Sequence, residues 1–328
     1  MNLDQLNHRL WRTGVYVCVF ALVGVCVPYL AQAAVWHPTP LTTWQWQLTG
    51  TVDQSFDVQA YDIDLFDNTA ATISSLHAAG RKVICYFSAG SYENWRPDAS
   101  SFPQSVFGNN NGWPGEKWLD IRQLSVLEPI MNARFDLAVQ KGCDAVEPDN
   151  VDGYANNTGL PLKASDQLAY NEYLAGAAHT RNLSVGLKND LDQIPDLLSY
   201  FDWALDEQCN QYNECDTLAP FINANKAVFN AEYQGTPSKF CPKMNAMRIS
   251  SIKKSLNLDA PMTACWAISS DPTPVVGDIN LDHIVNSIDY SLLNAKWFTT
   301  DAASDLNHDG LVNAIDYSIL NENWFKTW

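Results

Sequence analysis

The sequence predicts an α/β fold, a closed (β/α)8 TIM barrel, joined to a small all-α module. Short apolar segments that read as strands alternate with helical segments from Trp44 to Ile268, and eight such strands are present. Alternation of this kind is typical of a parallel sheet, and eight strands are the number that closes a barrel. A doubly wound sheet is the alternative, but no GxGxxG motif follows the first strand. An internal repeat that begins at Gly277 predicts the separate module.

The predicted strands are apolar runs bounded by turn-forming residues. In chain order they are Thr43–Leu48, Val58–Leu65, Lys82–Gly90, Lys117–Ile121, Cys143–Pro148, Leu183–Asn189, Phe201–Glu207 and Lys226–Tyr233. The clearest helix precedes Lys141 and Gly142, which supply a stop signal. Its apolar face recurs at helical spacing: Leu127, Ile130, Met131, Phe135, Ala138 and Val139.

The first 33 residues are predicted to be a signal peptide. Arg9 and Arg12 precede the apolar run Val15–Leu30, which is followed by the small-residue pattern AQA. An uncleaved membrane anchor is the alternative, but the run is shorter than the roughly 20 residues of a spanning helix and contains Pro28. We therefore expect cleavage after Ala33 and a secreted or periplasmic protein without membrane contact.

Six cysteines remain after the signal peptide, an even set that indicates disulfides in an oxidising compartment. The pair Cys209 and Cys215 is close enough in sequence to clip one loop. The simplest completion joins Cys85 to Cys143 and Cys241 to Cys265, although other pairings are open. A zinc site is the alternative role for these cysteines, but paired CxxC ligands are lacking and the sequence has few histidines.

The excess of acidic over basic residues limits the classes of molecule that the protein can bind. The chain has 20 Lys and Arg against 37 Asp and Glu, which gives a formal net charge of -17. This charge repels nucleic acid and anionic membranes, and it favours cationic partners or metal ions.

Polar residues gather where the predicted strands end. In a parallel barrel, the carboxyl ends of the strands form the floor of the active site. A single acid there is commonly a helix cap or half of an ion pair, but a shared cleft of like charges costs energy unless it binds something or holds protons. The strand-end residues are Asp62, Asp64, Tyr86, Ser88, Asp120, Glu147, Asp149, Lys188, Asn189, Asp206, Glu207 and Glu232.

Carboxylates that face each other from different strands are typical of glycoside hydrolysis. One acid protonates the leaving oxygen, and the other attacks the anomeric carbon or activates water. The barrel segment shows no nucleotide loop, Ser-His-Asp triad or metal cluster that would favour other chemistry. Trp46, Trp95 and Trp203 are candidate sugar-stacking side chains, although any one such tryptophan is more often part of the core.

Several ordered motifs resemble one family. WQWQL, YDIDLFD, VICYFSAGSYENWRPD, VEPDNVDGY, GLKND, ALDEQC and FNAEY follow one another between Trp44 and Ile268. They resemble glycoside hydrolase family 114, the endo-α-1,4-polygalactosaminidases. The resemblance implies a barrel that cleaves α-1,4-linked galactosamine-rich polysaccharide within the chain, without a catalytic cofactor. Such a polymer is cationic, in agreement with the acidic charge balance.

The resemblance also implies residue roles. Asp149 matches the family's catalytic aspartate, assigned here as nucleophile, and Glu207 matches the catalytic glutamate, assigned as acid/base. The residues expected to line the sugar subsites are Asp62, Asp64, Tyr86, Lys188, Asn189, Glu232 and Trp46. The alternative function is an exported carbohydrate-binding or adhesion protein whose barrel lacks catalysis.

The composition changes after residues 34–268. Residues 269–276, SSDPTPVV, read as a linker, and residues 277–328 hold the repeat. Each copy has oxygen-bearing side chains at the spacing of an EF-hand-like calcium loop. The predicted calcium ligands are Asp278, Asn280, Asp282, Asn286 and Asp289 in the first copy, and Asp305, Asn307, Asp309, Asn313 and Asp316 in the second.

This repeat resembles a type I dockerin, a module that binds cohesin-bearing partners. One position departs from the pattern, because His283 stands where the second copy has the turn glycine Gly310. The departure weakens the first predicted site, and a purely structural calcium module is the alternative to cohesin docking.

Overall fold

The structure is a computed structural model that describes residues 35–268, 276–280, 284–307 and 309–326. The predicted signal peptide and most of the predicted linker lie outside these residues. So do Asp282 and His283 of the first predicted calcium loop.

The predicted α/β fold is confirmed, and eight parallel strands build the barrel wall. The strands in chain order are β1 (Trp44–Gln47), β2 (Ala60–Asp64), β3 (Lys82–Ser88), β4 (Ser91–Glu93), β5 (Glu116–Trp118), β6 (Ala145–Asp149), β7 (Ser184–Lys188), β8 (Trp203–Glu207), β9 (Val228–Glu232), β10 (Ser250–Lys253) and β11 (Thr263–Ala264). The main sheet has the order β1-β2-β3-β6-β7-β8-β9-β10-β11, and only β11 joins it antiparallel.

The prediction of Lys117–Ile121 as the fourth barrel strand is wrong. Here β5 pairs antiparallel with β4 to form a separate hairpin, and β3 pairs directly with β6. Asp120 therefore does not end a barrel strand, and its carboxylate accepts two hydrogen bonds from Arg122, at 2.7 and 2.9 Å. The missing barrel strand is β10, which the sequence analysis did not identify because it is short and half of its residues are serines.

The seam between β1 and β10 is closed without a backbone ladder in the described part of the chain. The Trp44 indole donates a hydrogen bond to the Ser250 carbonyl at 2.7 Å, and the Leu48 amide donates to the Leu258 carbonyl at 2.9 Å. Inside the barrel, the rings of Trp44 and Phe229 lie 4.8 Å apart. These contacts bring the first and last strands together around one interior core.

Side chains alternate between the barrel interior and the surrounding helices, as the pleat of a strand requires. On β8, Trp203 and Leu205 pack in the interior cluster, while Ala204 packs in the outer one. A Cβ at Gly186 would lie 2.3 Å from the Trp203 ring, so only glycine fits opposite this indole. Trp203 is fully buried, so it takes the core position and not the sugar-stacking one.

Helices cover the outside of the sheet. They are α1 (Ala70–Ala78), α2 (Leu124–Lys141), α3 (Ala164–His179), α4 (Ile194–Leu197), α5 (Cys209–Tyr212), α6 (Ala219–Asn223), α7 (Pro237–Ala246), α8 (Ser287–Ala295) and α9 (Ala314–Glu322). The predicted end of α2 is confirmed, because Gly142 adopts the left-handed conformation with φ of 91°. The predicted apolar face of α2 is buried except at Val139. No helix in the described ranges is long and apolar enough to cross a membrane.

All three predicted disulfides are confirmed. Cys85–Cys143 ties β3 to the residues before β6, and Cys209–Cys215 closes a short loop after β8. Cys241–Cys265 joins α7 to the segment after β11. Each bridge restricts the unfolded chain and so raises the free energy of unfolding, typically by about 2–4 kcal/mol.

The C-terminal repeat forms two similar half-modules around α8 and α9. Their shared core consists of one valine and one leucine from each half, all fully buried: Val285, Leu293, Val312 and Leu320. Asn286 caps α8 and Asn313 caps α9, and each side chain accepts a hydrogen bond from the backbone two residues later. The repeated sequence therefore produces a repeated structure.

Candidate active site

Five consecutive parallel strands each direct one polar side chain to the same mouth of the barrel. These side chains are the inward-facing ones near the carboxyl end of each strand; three belong to the last residue of their strand, and one belongs to the residue just beyond it. They are Tyr86 from β3, Asp149 from β6, Lys188 from β7, Glu207 from β8 and Tyr233 after β9. Inward-facing positions alternate along each strand. The same alternation that turns apolar side chains into the barrel core therefore turns these polar side chains toward the site.

Lys188 bridges the two predicted catalytic carboxylates. Its Nζ lies 2.9 Å from Asp149 Oδ1 and 3.1 Å from Glu207 Oε2, and the lysine side chain is 1% exposed. Because both oxygens lie this close to one nitrogen, they are at most about 6 Å apart. Carboxyl groups about 5–5.5 Å apart are typical of retaining glycosidases, and inverting enzymes hold them about 6.5–9.5 Å apart. The geometry favours retention.

Other hydrogen bonds fix the two carboxylates. Tyr86 donates its hydroxyl to Asp149 Oδ2 at 2.9 Å, and the Asn150 amide donates to Asp149 Oδ1 at 2.7 Å. The Tyr233 hydroxyl donates to Glu207 Oε1. Each carboxylate is therefore oriented by its own tyrosine, and Lys188 contacts both.

The backbone turns sharply after three of the site strands. Asn150, Asn189 and Gln208 follow β6, β7 and β8, and their φ angles are 61°, 50° and 69°. This left-handed conformation costs energy in residues other than glycine and is concentrated at functional sites. The Asn189 side chain also accepts a hydrogen bond from the Glu207 amide at 3.0 Å, so the turn after β7 supports the end of β8.

A second pair of carboxyl groups lies beneath Lys188. Glu147 Oε1 is 3.1 Å from Lys188 Nζ, and both Glu147 and Asp62 are fully buried. Burial raises the pKa of Glu147 to about 7, and the pKa of Asp62 lies well above its usual value because of burial and the charge of Glu147. Both carboxyl groups therefore bind a proton more readily than exposed carboxyl groups do.

The raised pKa values of Asp62 and Glu147 predict a pH dependence of stability. A carboxyl whose pKa is raised in the folded state binds its proton more tightly there, so its contribution falls as pH rises between the unfolded and folded pKa values. Between pH values of about 4.5 and 7, we expect the free energy of unfolding to fall more steeply for the wild type than for Asp62→Asn, whose amide donates without titrating. Denaturant unfolding at a series of pH values measures this, and parallel curves would contradict the raised pKa of Asp62.

The site opens into a cavity of about 310 Å³. Trp95 and Trp113 line it with indoles that are 51% and 57% exposed, and both come from the β4–β5 hairpin region. Trp95 was predicted as a sugar-stacking candidate, and its position at the cavity agrees with that role. Trp113, Glu93, Arg96 and Glu116 were not predicted as site residues, because β5 was expected in the barrel wall.

The predicted subsite residues divide into two groups. Trp46, Asp64, Tyr86 and Lys188 border the cavity, although Asp64 is engaged by Arg96 Nη2 at 2.7 Å. Asn189 borders a neighbouring cavity.

The second group does not reach the surface of either cavity. Asp62 lies beneath the site, and Glu232 faces outward from β9, where it accepts a hydrogen bond from the Asn210 amide at 2.8 Å. The prediction that Asp62 and Glu232 contact sugar is therefore not supported by their positions.

The second predicted calcium loop has the backbone shape that its sequence requires. Gly310 adopts φ of 90°, and its amide donates to Asp305 Oδ2 at 2.7 Å. Asp316 is fully buried and accepts a hydrogen bond from the Leu306 amide at 2.7 Å. An oxygen-only donor set fits calcium. In the described residues, no group of three acidic, histidine or cysteine side chains is arranged to hold a metal ion.

Comparison with known proteins agrees with this architecture. The family profile described as "Glycoside-hydrolase family GH114" matches residues 28–270, and a type I dockerin profile matches residues 276–323. The crystal structure of Aspergillus fumigatus Ega3 in complex with galactosamine is 46% identical and has a TM-score of 0.68, and the match covers 71% of this chain and 99% of that one. A comparison with curated proteins found no match.

A more distant structure shares the fold. The glycoside hydrolase domain of PelA from Pseudomonas aeruginosa is 11% identical and has a TM-score of 0.54, with coverage of 68% of this chain and 97% of that one. Taken with the barrel and its acidic mouth, these matches define the class of the protein: it is a glycoside hydrolase that carries a type I dockerin domain. The chain belongs to glycoside-hydrolase family GH114.

Proposed function

We propose that the protein is a secreted endo-acting hydrolase of α-1,4-linked galactosamine-rich polysaccharide that works by a two-carboxylate, retaining mechanism. The observation that carries the mechanism is the position of Lys188 between Asp149 and Glu207, which holds the two carboxylates about 6 Å apart or closer. The 46% identical Ega3 structure, in complex with galactosamine, supports the substrate.

In the first step, Asp149 attacks the anomeric carbon while Glu207 donates a proton to the leaving oxygen. The carboxylate charge of Asp149 is lost when the ester forms. Lys188 keeps its contacts with Glu147 and Glu207, so its positive charge stays balanced.

In the second step, Glu207 takes a proton from a water molecule, which attacks the same carbon and releases the sugar from Asp149. Lys188 Nζ lies 3.1 Å from Glu207 Oε2 and stays beside this carboxylate. The hydroxyl of Tyr233 holds the same carboxylate in place.

The cavity has the charge and shape for a cationic sugar chain. Acidic side chains dominate its lining, and its two cations, Lys188 and Arg96, are already paired with carboxylates. The exposed indoles of Trp95 and Trp113 offer flat apolar faces for sugar rings.

This charge balance predicts the substrate preference. We expect a higher kcat/KM for deacetylated than for fully acetylated galactosamine polymer, and a severalfold fall in kcat/KM for the deacetylated form between about 0.05 and 0.5 M salt, because salt screens the attraction. Release of reducing ends over time measures both effects.

A neutral α-glucan serves as the control substrate, for which salt has little effect. Equal cleavage of the glucan and the galactosamine polymer, at a rate indifferent to salt, would contradict the assignment. No release of reducing ends from any of these polymers would instead favour a non-catalytic carbohydrate-binding protein.

The accessory segments fit an exported enzyme. We propose that residues 1–33 are a cleaved signal peptide, that residues 34–268 form the catalytic domain, and that residues 269–276 link it to a calcium-binding dockerin at 277–328. The three disulfides support folding in an oxidising compartment. The dockerin match supports a cohesin-bearing partner.

A further inference from the structure

The two carboxylate oxygens of Asp149 are held by different groups. Each carboxylate oxygen offers two lone pairs to hydrogen-bond donors. On Oδ1 both lone pairs are used, by the Asn150 amide at 2.7 Å and by Lys188 Nζ at 2.9 Å. Both donors are fixed, because the first belongs to the backbone and the second to a side chain that is 1% exposed and contacts two further carboxylates. Oδ1 therefore has no lone pair free for a new bond.

The other oxygen, Oδ2, is held less tightly. It accepts a hydrogen bond from the Tyr86 hydroxyl at 2.9 Å. Its contact with Asn150 Nδ2 is long, at 3.3 Å, and this nitrogen donates a shorter hydrogen bond of 2.9 Å to Ser88 Oγ. The Asp149 side chain is 17% exposed and borders the first cavity. Oδ2 is therefore the oxygen with a lone pair available for a bond to carbon.

The Tyr86 hydroxyl reaches Oδ2 along the inside of the barrel. Tyr86 lies on the same side of β3 as Ile84, which packs in the interior cluster. In the register of β3 and β6 it pairs with Glu147, two residues before Asp149, and its long side chain spans this distance. Burial and the charge of Asp149 raise the pKa of Tyr86 well above its usual value. The hydroxyl therefore keeps its proton at neutral pH and acts as a donor to Oδ2.

An attack through Oδ2 changes the strength of this hydrogen bond twice. In the first step, a lone pair of Oδ2 forms a bond to the anomeric carbon. The bond from that carbon to the leaving oxygen breaks, and its electron pair goes to the leaving oxygen, which also takes the proton of Glu207. In the second step, a water oxygen bonds to the same carbon, Glu207 takes the water proton, and the electron pair of the ester bond returns to Oδ2. A hydroxyl donates more strongly to an ionised carboxylate than to a neutral ester oxygen.

We propose that Asp149 attacks through Oδ2 and that Tyr86 is a catalytic residue of the second step, in which its hydroxyl stabilises the negative charge that returns to this oxygen. The inference rests on the proposed function, in which Asp149 is the nucleophile. In the first step the same hydroxyl stabilises the free carboxylate more than the transition state, so it gives no advantage there. Tyr86, which was expected to contact sugar, acts on the nucleophile instead.

The test uses an aryl α-glycoside of a galactosamine oligomer, whose good leaving group makes the second step rate-limiting. Tyr86→Phe removes the hydroxyl and keeps the ring. Tyr173→Phe is the matched control, because Tyr173 lies on α3, donates its hydroxyl to the Glu128 carbonyl at 3.1 Å and lines neither cavity. Stopped-flow release of the aryl group measures the rates, and mass spectrometry of the quenched full chain measures the amount of glycosyl-enzyme.

We expect Tyr86→Phe to lower kcat about tenfold or more and to lower KM by a similar factor, so that kcat/KM stays within about threefold of the wild type. More glycosyl-enzyme accumulates in Tyr86→Phe than in the wild type, and the control behaves as the wild type. The preserved kcat/KM shows at the same time that the variant is folded and completes the first step.

Other roles for Tyr86 give other results. A role in binding sugar or in holding the fold lowers kcat/KM without accumulation of glycosyl-enzyme, which overturns the proposal, and so does an unchanged kcat. If Asp149 attacked through Oδ1 instead, Oδ2 would become the carbonyl oxygen of the ester and keep its hydrogen bond from Tyr86. In Tyr86→Phe, kcat and kcat/KM would then fall together, which also overturns the proposal.

Failure of the proposed function looks different, because it is seen in the wild type. If the wild type cleaves neither the aryl glycoside nor the galactosamine polymer, the hydrolase assignment fails and the role of Tyr86 with it. If the wild type cleaves both and inverts the anomeric configuration, the retaining mechanism fails. If the wild type retains the configuration and Tyr86→Phe has the wild-type kcat, only the role of Tyr86 fails.

Discussion

Asp149→Asn and Glu207→Gln are each expected to lower kcat on deacetylated galactosamine polymer by about three orders of magnitude or more, with the fold intact. Each carboxylate has a separate chemical role, and neither amide can attack carbon or transfer a proton to the leaving oxygen. Glu207→Gln loses protonation of the leaving group, whereas Asp149→Asn loses the nucleophile. A substrate with a good leaving group needs no protonation, so it restores formation of the glycosyl-enzyme in Glu207→Gln and not in Asp149→Asn.

Asp136→Asn provides the matched control, since it also converts an acid to an amide but lies outside both cavities. Initial rates of reducing-end release and of aryl glycoside cleavage measure the effects, and circular dichroism monitors the fold. The anomeric form of the first product, read by NMR, tests retention. Near-normal cleavage of polymer by either variant would overturn the assignment of the catalytic pair.

Calcium removal is expected to unfold the C-terminal module while the barrel stays folded and active. The module has a small core of two valines and two leucines with a few half-buried neighbours, which is too little apolar surface to fold without help. In the full chain treated with chelator, we expect proteases to cut within residues 277–328, and added calcium to protect them. Polymer cleavage by the barrel continues in both conditions.

The two loops are expected to differ in calcium affinity. Gly310 adopts a left-handed turn that a histidine enters at a cost of about 1 kcal/mol, so the first loop, with His283 at this position, binds more weakly. His283→Gly should reduce the difference between the calcium affinities of the two loops about fivefold. Asp316→Asn should abolish calcium binding by the second loop, which is expected to be the tighter site. Calorimetric titration of the full chain measures both, and two equal sites in the wild type would be evidence against this reading of the repeat.

The barrel was predictable from the sequence because its strands carry local signals. Seven of the parallel strands are apolar runs bounded by turn residues. The spacing predicted only the Cys209–Cys215 disulfide, and the other two pairings were the simplest completion among several. The errors have a common physical origin. Residues 116–118 and β10 are both short, and whether a short segment joins the barrel depends on contacts with distant residues that no local pattern records.

The sequence predicted that the site lies at the strand ends. Which side chains there face the barrel interior depends on the pleat of each strand. Asp206 and Glu207 are adjacent, yet only Glu207 points into the barrel, and Asp206 points toward the helices. Glu232 was predicted as a site residue and Tyr233 was not. On this strand too the side chains alternate, so Glu232 faces outward and Tyr233 faces the site. The contact of Lys188 with three carboxylates joins residues far apart in sequence, so only the folded structure shows it.

The seam between β1 and β10 gives this barrel a preferred place to open. Elsewhere around the wall, neighbouring strands are joined by continuous backbone hydrogen bonds, whereas here a few isolated contacts such as the Trp44 indole on Ser250 join the ends. Local fluctuations are least costly where the fewest bonds break together. Amide protons of β1 should therefore exchange with solvent before those of β3, and new chain ends introduced by circular permutation should be better tolerated near this seam than opposite it.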